Sequence, residues 1–235
     1  MYLVMNRPFN QINMEFIKKM NGILDEIDSM KEEPAVLITI GSGPKAFCSG
    51  FDLKEWAENP VNMLVSLMGM QQIFARFLKL GIPSMAVFNG HSIAGGVMLG
   101  LCHDRIIMNS DPKFMVCLNE LTFGKSFPYS YAKLVRECTS GRLSRTLIIG
   151  TKLSSKEALR LDLVQDLYSN TGELDCHIQQ FAKERAVIGS HRMNYRASKS
   201  HMYRQLLDVL ENPEVYNFQT LKDAEDLRQF YSAKM

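Results

Sequence analysis

Two short apolar runs, each preceded by an amphipathic helical pattern and followed by glycine, constrain the fold more than any other feature of the chain. Residues 35–40 and 84–88 are bounded by glycine, proline or asparagine, as fully buried strands are. Upstream of these runs, apolar residues recur at helical spacing over residues 16–30 and 63–78. Helices that alternate with buried strands predict an α/β fold.

The second half of the sequence is predicted to be mostly helical. Asn13 is the predicted N-cap of the first helix, and Ser154 with Glu157 matches a capping box. The other predicted elements are a short helix over residues 97–101, strands over 105–108 and 163–168, and helices over 129–137, 140–149, 174–188, 193–210 and 215–231. We therefore expect an α/β core in residues 1–140 and a helical C-terminal region in residues 141–235.

Composition and charge exclude several classes of protein. A chain of 235 residues that is 46% hydrophobic can bury a core. Its 27 basic and 25 acidic residues are spread along the chain, so no block of charge indicates binding to nucleic acid or to an anionic membrane. No apolar run approaches the roughly 20 residues of a membrane span. The five cysteines lack metal-ligand spacing, and we expect free thiols in a reducing compartment, with neither disulfides nor zinc.

The two ends of the chain bear on its place in the cell. The first residues lack both a secretory apolar segment and an arginine-rich transit segment. The last three residues, Ala233, Lys234 and Met235, are a conservative variant of the peroxisomal address Ser-Lys-Leu, although an ordinary helix that ends with a lysine is an equally simple interpretation. We expect a peroxisomal protein, with the mitochondrial matrix as the alternative if a segment precedes residue 1.

A first segment of chemical interest, residues 45–53, lies just past a predicted buried strand. Ligands of α/β sheets bind at such strand ends. Gly50 permits a backbone conformation closed to other residues, which would aim the amide of Phe51 into a pocket. An ordinary turn is the alternative interpretation.

A second segment, residues 89–96, brings a pair of glycines to the predicted start of a helix. The backbone N–H groups of Gly95 and Gly96 would there be free to meet an anion or an oxyanion. The segment matches neither a Walker A loop nor a dinucleotide-binding motif. Tight packing of the helix on the sheet explains the glycines equally well.

A third segment, residues 116–124, carries one carboxylate, Glu120, in an otherwise apolar stretch. Buried glutamate is rare unless it is paired or functional. Burial raises the pKa of a carboxyl group, which suits a general base that takes a proton from carbon and returns it. A solvated glutamate at a strand end is the alternative.

Taken together, residues 46–53 and 89–96 resemble the two oxyanion-hole motifs of the crotonase, or enoyl-CoA hydratase/isomerase, superfamily. Residues 6–8 also resemble the family's opening strand, residues 103–104 the pair after its short helix, and residues 118–164 its catalytic segment and following helices. The resemblance implies a spiral of ββα turns with C-terminal helices that pack in trimers, and so a homotrimer or a dimer of trimers.

The resemblance also implies a role for each motif residue. The backbone amides of Phe51 and Gly95 would hold the oxygen of an acyl-CoA thioester, and Glu120 would be the catalytic base. Substrate-binding positions carried over in the same way are Ser49, Gly50, Asp52, Leu53, Lys54 and Gly96. The resemblance places Lys54 near the coenzyme A phosphates, and an ordinary solvated lysine is the alternative interpretation. Neither a metal nor a separate cofactor is implied, since coenzyme A is part of the substrate.

The identity of residue 98 bears on the type of reaction. Hydratases of the family carry two glutamates, the first of them two residues after the glycine pair, where this chain has Met98. Moving a double bond needs a single base that shuttles one proton, whereas adding water benefits from two carboxylates. Residues 118–124, and Tyr216, Phe218, Leu227 and Tyr231 near the end, resemble Δ3,Δ2-enoyl-CoA isomerases, which implies isomerisation of 3-enoyl-CoA in fatty acid β-oxidation.

Other functions stay open at this point. They are acyl-CoA thioester hydrolysis by Glu120 and a water, a thiol hydrolase based on Cys48 and His91, and a non-catalytic subunit of the same fold. Two departures from the family pattern bear on them. The chain begins almost at Asn6, without most of the usual first hairpin, so we expect a sheet edge that is exposed or covered by a partner. Phe51 is bulky for its position and would narrow the acyl path.

Overall fold

Strands and helices alternate along residues 1–212, the part of the chain that the computed structural model describes. The strands are β1 Tyr2–Met5, β2 Leu37–Gly41, β3 Ala46–Cys48, β4 Ser84–Phe88, β5 His91–Ile93, β6 Arg105–Asn109, β7 Met115–Cys117, β8 Leu153–Ser154 and β9 Asp166–Tyr168. The helices are α1 Met14–Ser29, α2 Leu53–Glu58, α3 Pro60–Leu78, α4 Gly95–Leu101, α5 Tyr129–Cys138, α6 Gly141–Ile148, α7 Ser155–Arg160, α8 Thr171–Arg185, α9 Arg192–Met202 and α10 Arg204–Glu211. Two 3-10 helices span Glu120–Phe123 and Ala186–His191. The predicted helix over residues 215–231 and the C-terminal tripeptide lie outside the described residues.

The strands form two sheets, to which successive strands contribute in turn. One sheet has the order β1-β2-β4-β6-β9 with every neighbour parallel, and the other has the order β3-β5-β7-β8. Strands β2, β4 and β6 enter the first sheet, and each is followed directly by a strand of the second sheet. This repeating path agrees with the spiral of ββα turns that the family resemblance implies. Strand β1 lies at one edge of the first sheet, and its Tyr2 and Val4 side chains are exposed.

The central strand β4 of the five-stranded sheet is buried on both faces, between which its side chains alternate. In β4, Met85 and Val87 pack into a small cluster with Ile178 of α8. Ala86 and Phe88 of the same strand point to the opposite face and join the main core beneath α1, α3 and α4. This two-sided burial explains why the predicted strand over residues 84–88 shows no polar alternation.

Most helix boundaries follow the predicted signals. The Asn13 side chain accepts a hydrogen bond of 2.9 Å from the Phe16 amide, and the capping box of Ser154 and Glu157 is formed at α7. The predicted helix over residues 193–210 is instead two helices that meet at Tyr203. The strand predicted over residues 163–168 shortens to β9 because its first residues turn back onto α7, where the Leu163 amide donates to the Ala158 carbonyl.

Two buried cations attach the C-terminal helices to the core. Arg192 donates hydrogen bonds of 2.7 Å each to the carbonyls of Ile27 and Met30, which satisfies acceptors at the C-terminal end of α1. Lys199 of α9 forms an ion pair of 2.7 Å with Asp104. These contacts hold α9 against the α/β core.

Strands β8 and β9 lie in the region beyond residue 140, yet each completes one of the sheets. Leu153 of β8 pairs with Val116, and β9 pairs with β6 through Tyr168 and Asn109. The division of the chain at residue 140 into a core and a helical region stays a prediction, and strands of both sheets lie on each side of that residue. Across residues 1–212, no helix has the length and apolar character to cross a membrane.

Candidate active site

The first motif follows β3 into a turn that only glycine adopts easily. Gly50 is buried and has a φ of +86°, a region that favours glycine over other residues. The Ile12 amide donates to the Gly50 carbonyl and the Asp52 amide donates to the Ile12 carbonyl, both at 2.8 Å. In such a parallel bridge the two bonds come from the residues that flank Phe51, so the N–H of Phe51 points away from residue 12.

The second motif follows β5 and opens α4. The Ala94 amide donates to the Cys117 carbonyl, while the amides of Val97 and Met98 donate to the Ala94 carbonyl at 3.0 and 3.3 Å. The N–H groups of Gly95 and Gly96 lie in the first turn, where a helix has no acceptor of its own to offer. The α4 backbone therefore offers two donors at its start.

The two motifs meet at Gly50 and Gly95. A Cβ atom placed on Gly50 would lie 3.0 Å from the Ala94 Cβ and 3.6 Å from the Gly95 nitrogen. The turn before Phe51 is thus packed directly on the start of α4. The structure brings the two predicted oxyanion segments together from positions that are more than 40 residues apart in the sequence.

Packing alone explains some of the glycines. A Cβ atom on Gly96 would lie 2.2 Å from the Cys48 carbonyl oxygen, and one on Gly90 would lie 2.6 Å from the Ala46 nitrogen. These backbones cannot approach each other with a side chain between them. Gly96 therefore has a packing role whether or not it also touches a ligand.

Glu120 begins the 3-10 helix that follows β7. Strand pairing of Cys117 with Ile93 holds this segment beside the start of α4. The Oε2 atom of Glu120 is buried and has no hydrogen-bond partner among residues 1–212. Burial raises the pKa of the carboxyl group from 4.5 to about 7, the direction expected for a carboxyl in an apolar stretch. A carboxyl with such a pKa suits proton transfer near neutral pH.

Position 98 carries no carboxylate. The Met98 side chain is fully buried within α4 and joins the main hydrophobic core. Since methionine does not ionise, this position supplies neither a proton nor a base for the reaction. Of positions 98 and 120, at which the resemblance implies glutamates in hydratases, only position 120 is acidic in this chain.

The remaining predicted substrate-binding residues lie within the first motif or directly after it. Ser49 is half-buried, and its amide is bound to a backbone carbonyl in the loop before α1. Asp52 caps α2 by accepting a hydrogen bond of 3.1 Å from the Lys54 amide, and Leu53 is the first residue of that helix. Lys54 is exposed at the same helix start. The structure thus places these residues on one turn next to Phe51.

Two asparagines position the motifs and were not foreseen from the sequence. Asn10, with a φ of +47°, donates hydrogen bonds to the carbonyls of Ala46 and Phe47 at 3.1 and 2.9 Å. Asn89 donates to the carbonyls of Gly41 and Gly43 at 2.8 and 2.9 Å. The residue type was the one available sequence signal for this role, because asparagine tolerates a left-handed backbone and its side chain forms hydrogen bonds with backbone groups.

The environments of Cys48 and His91 argue against a thiol hydrolase. The Cys48 side chain is fully buried, and burial raises the pKa of its thiol to about 12. The thiolate is the nucleophilic form, so this group is unreactive near neutral pH. The Nδ1 atom of His91 accepts a hydrogen bond of 3.3 Å from the Met115 amide.

Neither metal ligation nor disulfide bonding is visible in the described chain. Within residues 1–212, no three His, Cys, Asp or Glu side chains cluster closely enough to hold a metal ion. All five cysteines have free thiols.

Comparison with known proteins gives the family. A family model described as enoyl-CoA hydratase/isomerase matches residues 1–230. Enoyl-CoA delta isomerase 3 of Arabidopsis thaliana is 30% identical over 171 residues, which are 70% of this chain and 71% of that protein. The peroxisomal enoyl-CoA delta isomerase 2 of the same plant is 30% identical over 201 residues, 80% of this chain and 82% of that protein.

Hydratases are also among the similar proteins, and the fold is shared with solved structures. A short-chain-enoyl-CoA hydratase of Clostridium acetobutylicum is 28% identical over 166 residues, 69% of this chain and 62% of that protein. The human mitochondrial delta3-delta2-enoyl-CoA isomerase structure superposes with a TM-score of 0.78 at 21% identity, covering 97% of this chain and 87% of that one. With its α/β crotonase fold of mostly parallel sheets and a C-terminal helical region, the chain belongs to the enoyl-CoA hydratase/isomerase family.

Proposed function

We propose that the protein is a Δ3,Δ2-enoyl-CoA isomerase that moves the double bond of a 3-enoyl-CoA to the 2-trans position. The observation that carries the proposal is Glu120. Its Oε2 atom is buried without a hydrogen-bond partner among the described residues, and its pKa is raised to about 7. A lone carboxyl of this kind, beside the start of α4, is suited to shuttle one proton between two carbon atoms.

The proposed mechanism has two proton transfers. The Glu120 carboxylate removes a proton from C2, and the electron pair of the broken C–H bond moves toward the thioester oxygen to form a dienolate. The amides of Phe51 and Gly95 donate hydrogen bonds to that oxygen as its negative charge grows. The carboxyl group of Glu120 then returns the proton to C4, which leaves the double bond between C2 and C3.

Isomerisation is favoured over hydration by Met98. A hydratase of this family would use a carboxylate at this position to help position the water, and Met98 is instead fully buried and cannot ionise. The similarity to two plant proteins named enoyl-CoA delta isomerase supports the same choice. The similarity to a hydratase makes the reaction type the first thing to test.

Other parts of the proposal concern substrate, assembly and location. Ser49, Gly50, Asp52, Leu53 and Gly96 would line the thioester end of the site, and exposed Lys54 would approach the coenzyme A phosphates. We propose a homotrimer or a dimer of trimers that acts in peroxisomal β-oxidation. The peroxisomal name of one plant relative supports that location, and a mitochondrial matrix location is the alternative.

The test is the absorbance-monitored conversion of 3-hexenoyl-CoA to the conjugated 2-enoyl thioester. Wild type should convert it, and Glu120→Gln should lose about 10²- to 10⁴-fold in kcat, the usual contribution of a general base. Glu137→Gln is the matched control, because Glu137 is exposed on α5 and pairs with Lys133.

Three results would contradict the proposal. Hydration of crotonyl-CoA without isomerisation would show a hydratase. Release of free coenzyme A would show a thioester hydrolase. Failure of a folded oligomer to turn over any acyl-CoA would indicate a non-catalytic subunit.

A further inference from the structure

Three aromatic rings, which we call the aromatic wall, stand beside the two oxyanion segments. Their members are Phe51 of the first motif, Trp56 of α2 and Tyr131 of α5. The Phe51 ring centroid lies 4.8 Å from that of Trp56 and 6.3 Å from that of Tyr131. Rings from two different helices therefore converge on the Phe51 side chain.

The rings behind Phe51 are held in place. Trp56 Nε1 donates a hydrogen bond of 2.8 Å to Ser66 Oγ, and the Tyr131 hydroxyl donates one of 3.0 Å to the Leu67 carbonyl. Both rings are buried, with 7% and 2% of their surface exposed, whereas Phe51 is half-buried. Phe51 is thus the ring that a ligand would meet, and the fixed rings behind it limit how far it can withdraw.

The Phe51 ring also lies directly on Gly95. A Cβ atom on Gly95 would be 3.2 and 3.4 Å from two carbons of that ring. Phe51 would hold the thioester oxygen with its backbone amide, and its side chain lies over Gly95, which carries the second amide. With the thioester oxygen at the two amides, the ring would occupy space next to the carbonyl carbon, from which the acyl chain would leave.

We propose that Phe51 is a specificity-determining residue that restricts the acyl group to a short chain of about four to six carbons. This inference rests on the proposed function, because it assumes that the thioester oxygen lies at the Phe51 and Gly95 amides. An acyl chain that is several methylenes longer has to displace the ring, and the aromatic wall opposes that movement. Differences of one methylene in an apolar site already change discrimination about tenfold or more.

The first experiment measures binding without chemistry. Affinities of wild type for butyryl-CoA and lauroyl-CoA, two saturated thioesters, are measured by calorimetry and repeated with Phe51→Ala and Phe51→Leu. Wild type should prefer butyryl-CoA, and Phe51→Ala should shift the affinity ratio toward lauroyl-CoA by about tenfold or more. Phe51→Leu should give a smaller shift, which provides a second variant if the alanine form folds poorly.

The second experiment repeats the comparison with 3-hexenoyl-CoA and 3-dodecenoyl-CoA as substrates. The kcat/KM ratio should move in the same direction in the Phe51 variants. Tyr2→Ala, which removes an exposed aromatic ring from β1 of the other sheet, should leave both ratios unchanged.

The outcomes separate the two proposals. Equal or tighter wild-type binding of lauroyl-CoA, or an unchanged ratio in both Phe51 variants, would overturn the chain-length inference. Short-chain preference that is relaxed in the variants, in a protein that isomerises neither substrate, would support the inference and reject the isomerase.

Discussion

Gly96 packs on Cys48 so closely that a Cβ atom at residue 96 would lie 2.2 Å from the Cys48 carbonyl oxygen. This contact sets the distance between the start of α4 and the end of β3, and so between the two segments whose amides face the proposed thioester. The absence of a side chain at residue 96 therefore allows these two segments to pack together.

Gly96→Ala should therefore damage both stability and activity. The added methyl group has to push α4 away from β3, and overpacking of this kind costs about 1 to 3 kcal/mol or more of unfolding free energy. Gly22→Ala is the matched control, because Gly22 lies within α1 with no atom within 4 Å of the new Cβ, and it should stabilise the protein by about 0.5 to 1 kcal/mol. Urea unfolding measures both changes, and equal effects at the two positions would refute the argument.

The activity should depend on pH through Glu120. The reaction needs the carboxylate form, and burial raises the pKa of this group to about 7. The value of kcat/KM for 3-hexenoyl-CoA should rise tenfold per pH unit below pH 7 and level off above it. A profile that is flat between pH 5 and pH 8 would exclude Glu120 as the titrating base.

The same pKa makes a prediction about stability. The pKa of the Glu120 carboxyl is about 7 in the folded protein and 4.5 for an ordinary glutamate. Its contribution to the free energy of unfolding is therefore fully present below pH 4.5 and is lost as pH rises through 7. Glu120→Gln, which cannot ionise, should exceed wild type in unfolding free energy at pH 8 by about 1 to 3 kcal/mol. At pH 4 the two proteins should be equally stable. A Gln variant that is less stable than wild type at pH 8 would contradict this prediction, because it would mean that a hydrogen bond or a positive charge stabilises the buried carboxylate.

Arg192 should matter far more to stability than its neighbour Arg196. Truncation of Arg192 to alanine leaves the Ile27 and Met30 carbonyls without their buried donor, and should cost about 2 to 4 kcal/mol. Arg196→Ala removes an exposed pair with Asp28 and should cost less than about 1 kcal/mol. Thermal and urea unfolding of the two variants test this difference, and similar losses would mean that the capping of α1 contributes little.

The sequence predicted those helices and strands that are long enough to show a hydrophobic pattern or a capping residue of their own. Strand β4 has the predicted bounds, and the α1 cap at Asn13 was readable because capping is local. Strands β3, β5 and β7 have three residues each, too few to show a period, and were visible only as parts of motifs.

The sequence predicted which segments form the candidate site, but it did not predict how these segments pack against one another. The raised pKa of Glu120 was expected from the apolar residues around it in the sequence, but Leu121 and Phe123 are themselves exposed, so tertiary packing encloses the carboxyl group. The packing of Gly96 on Cys48, and the support of Ala46 by Asn10, depend on contacts between residues far apart in the chain, and no local pattern encodes them. The catalytic and binding roles of the site residues stay predictions until the assays are done.

The late position of β8 and β9 has a consequence for synthesis on the ribosome. Both sheets have all their other strands once residue 117 has emerged, but each still lacks its last strand until residues 153–154 and 166–168 follow. Until then, β6 and β7 present unpaired backbone edges of the sort that recruit other strands. A nascent chain that stalls between these points would be a natural client for chaperones.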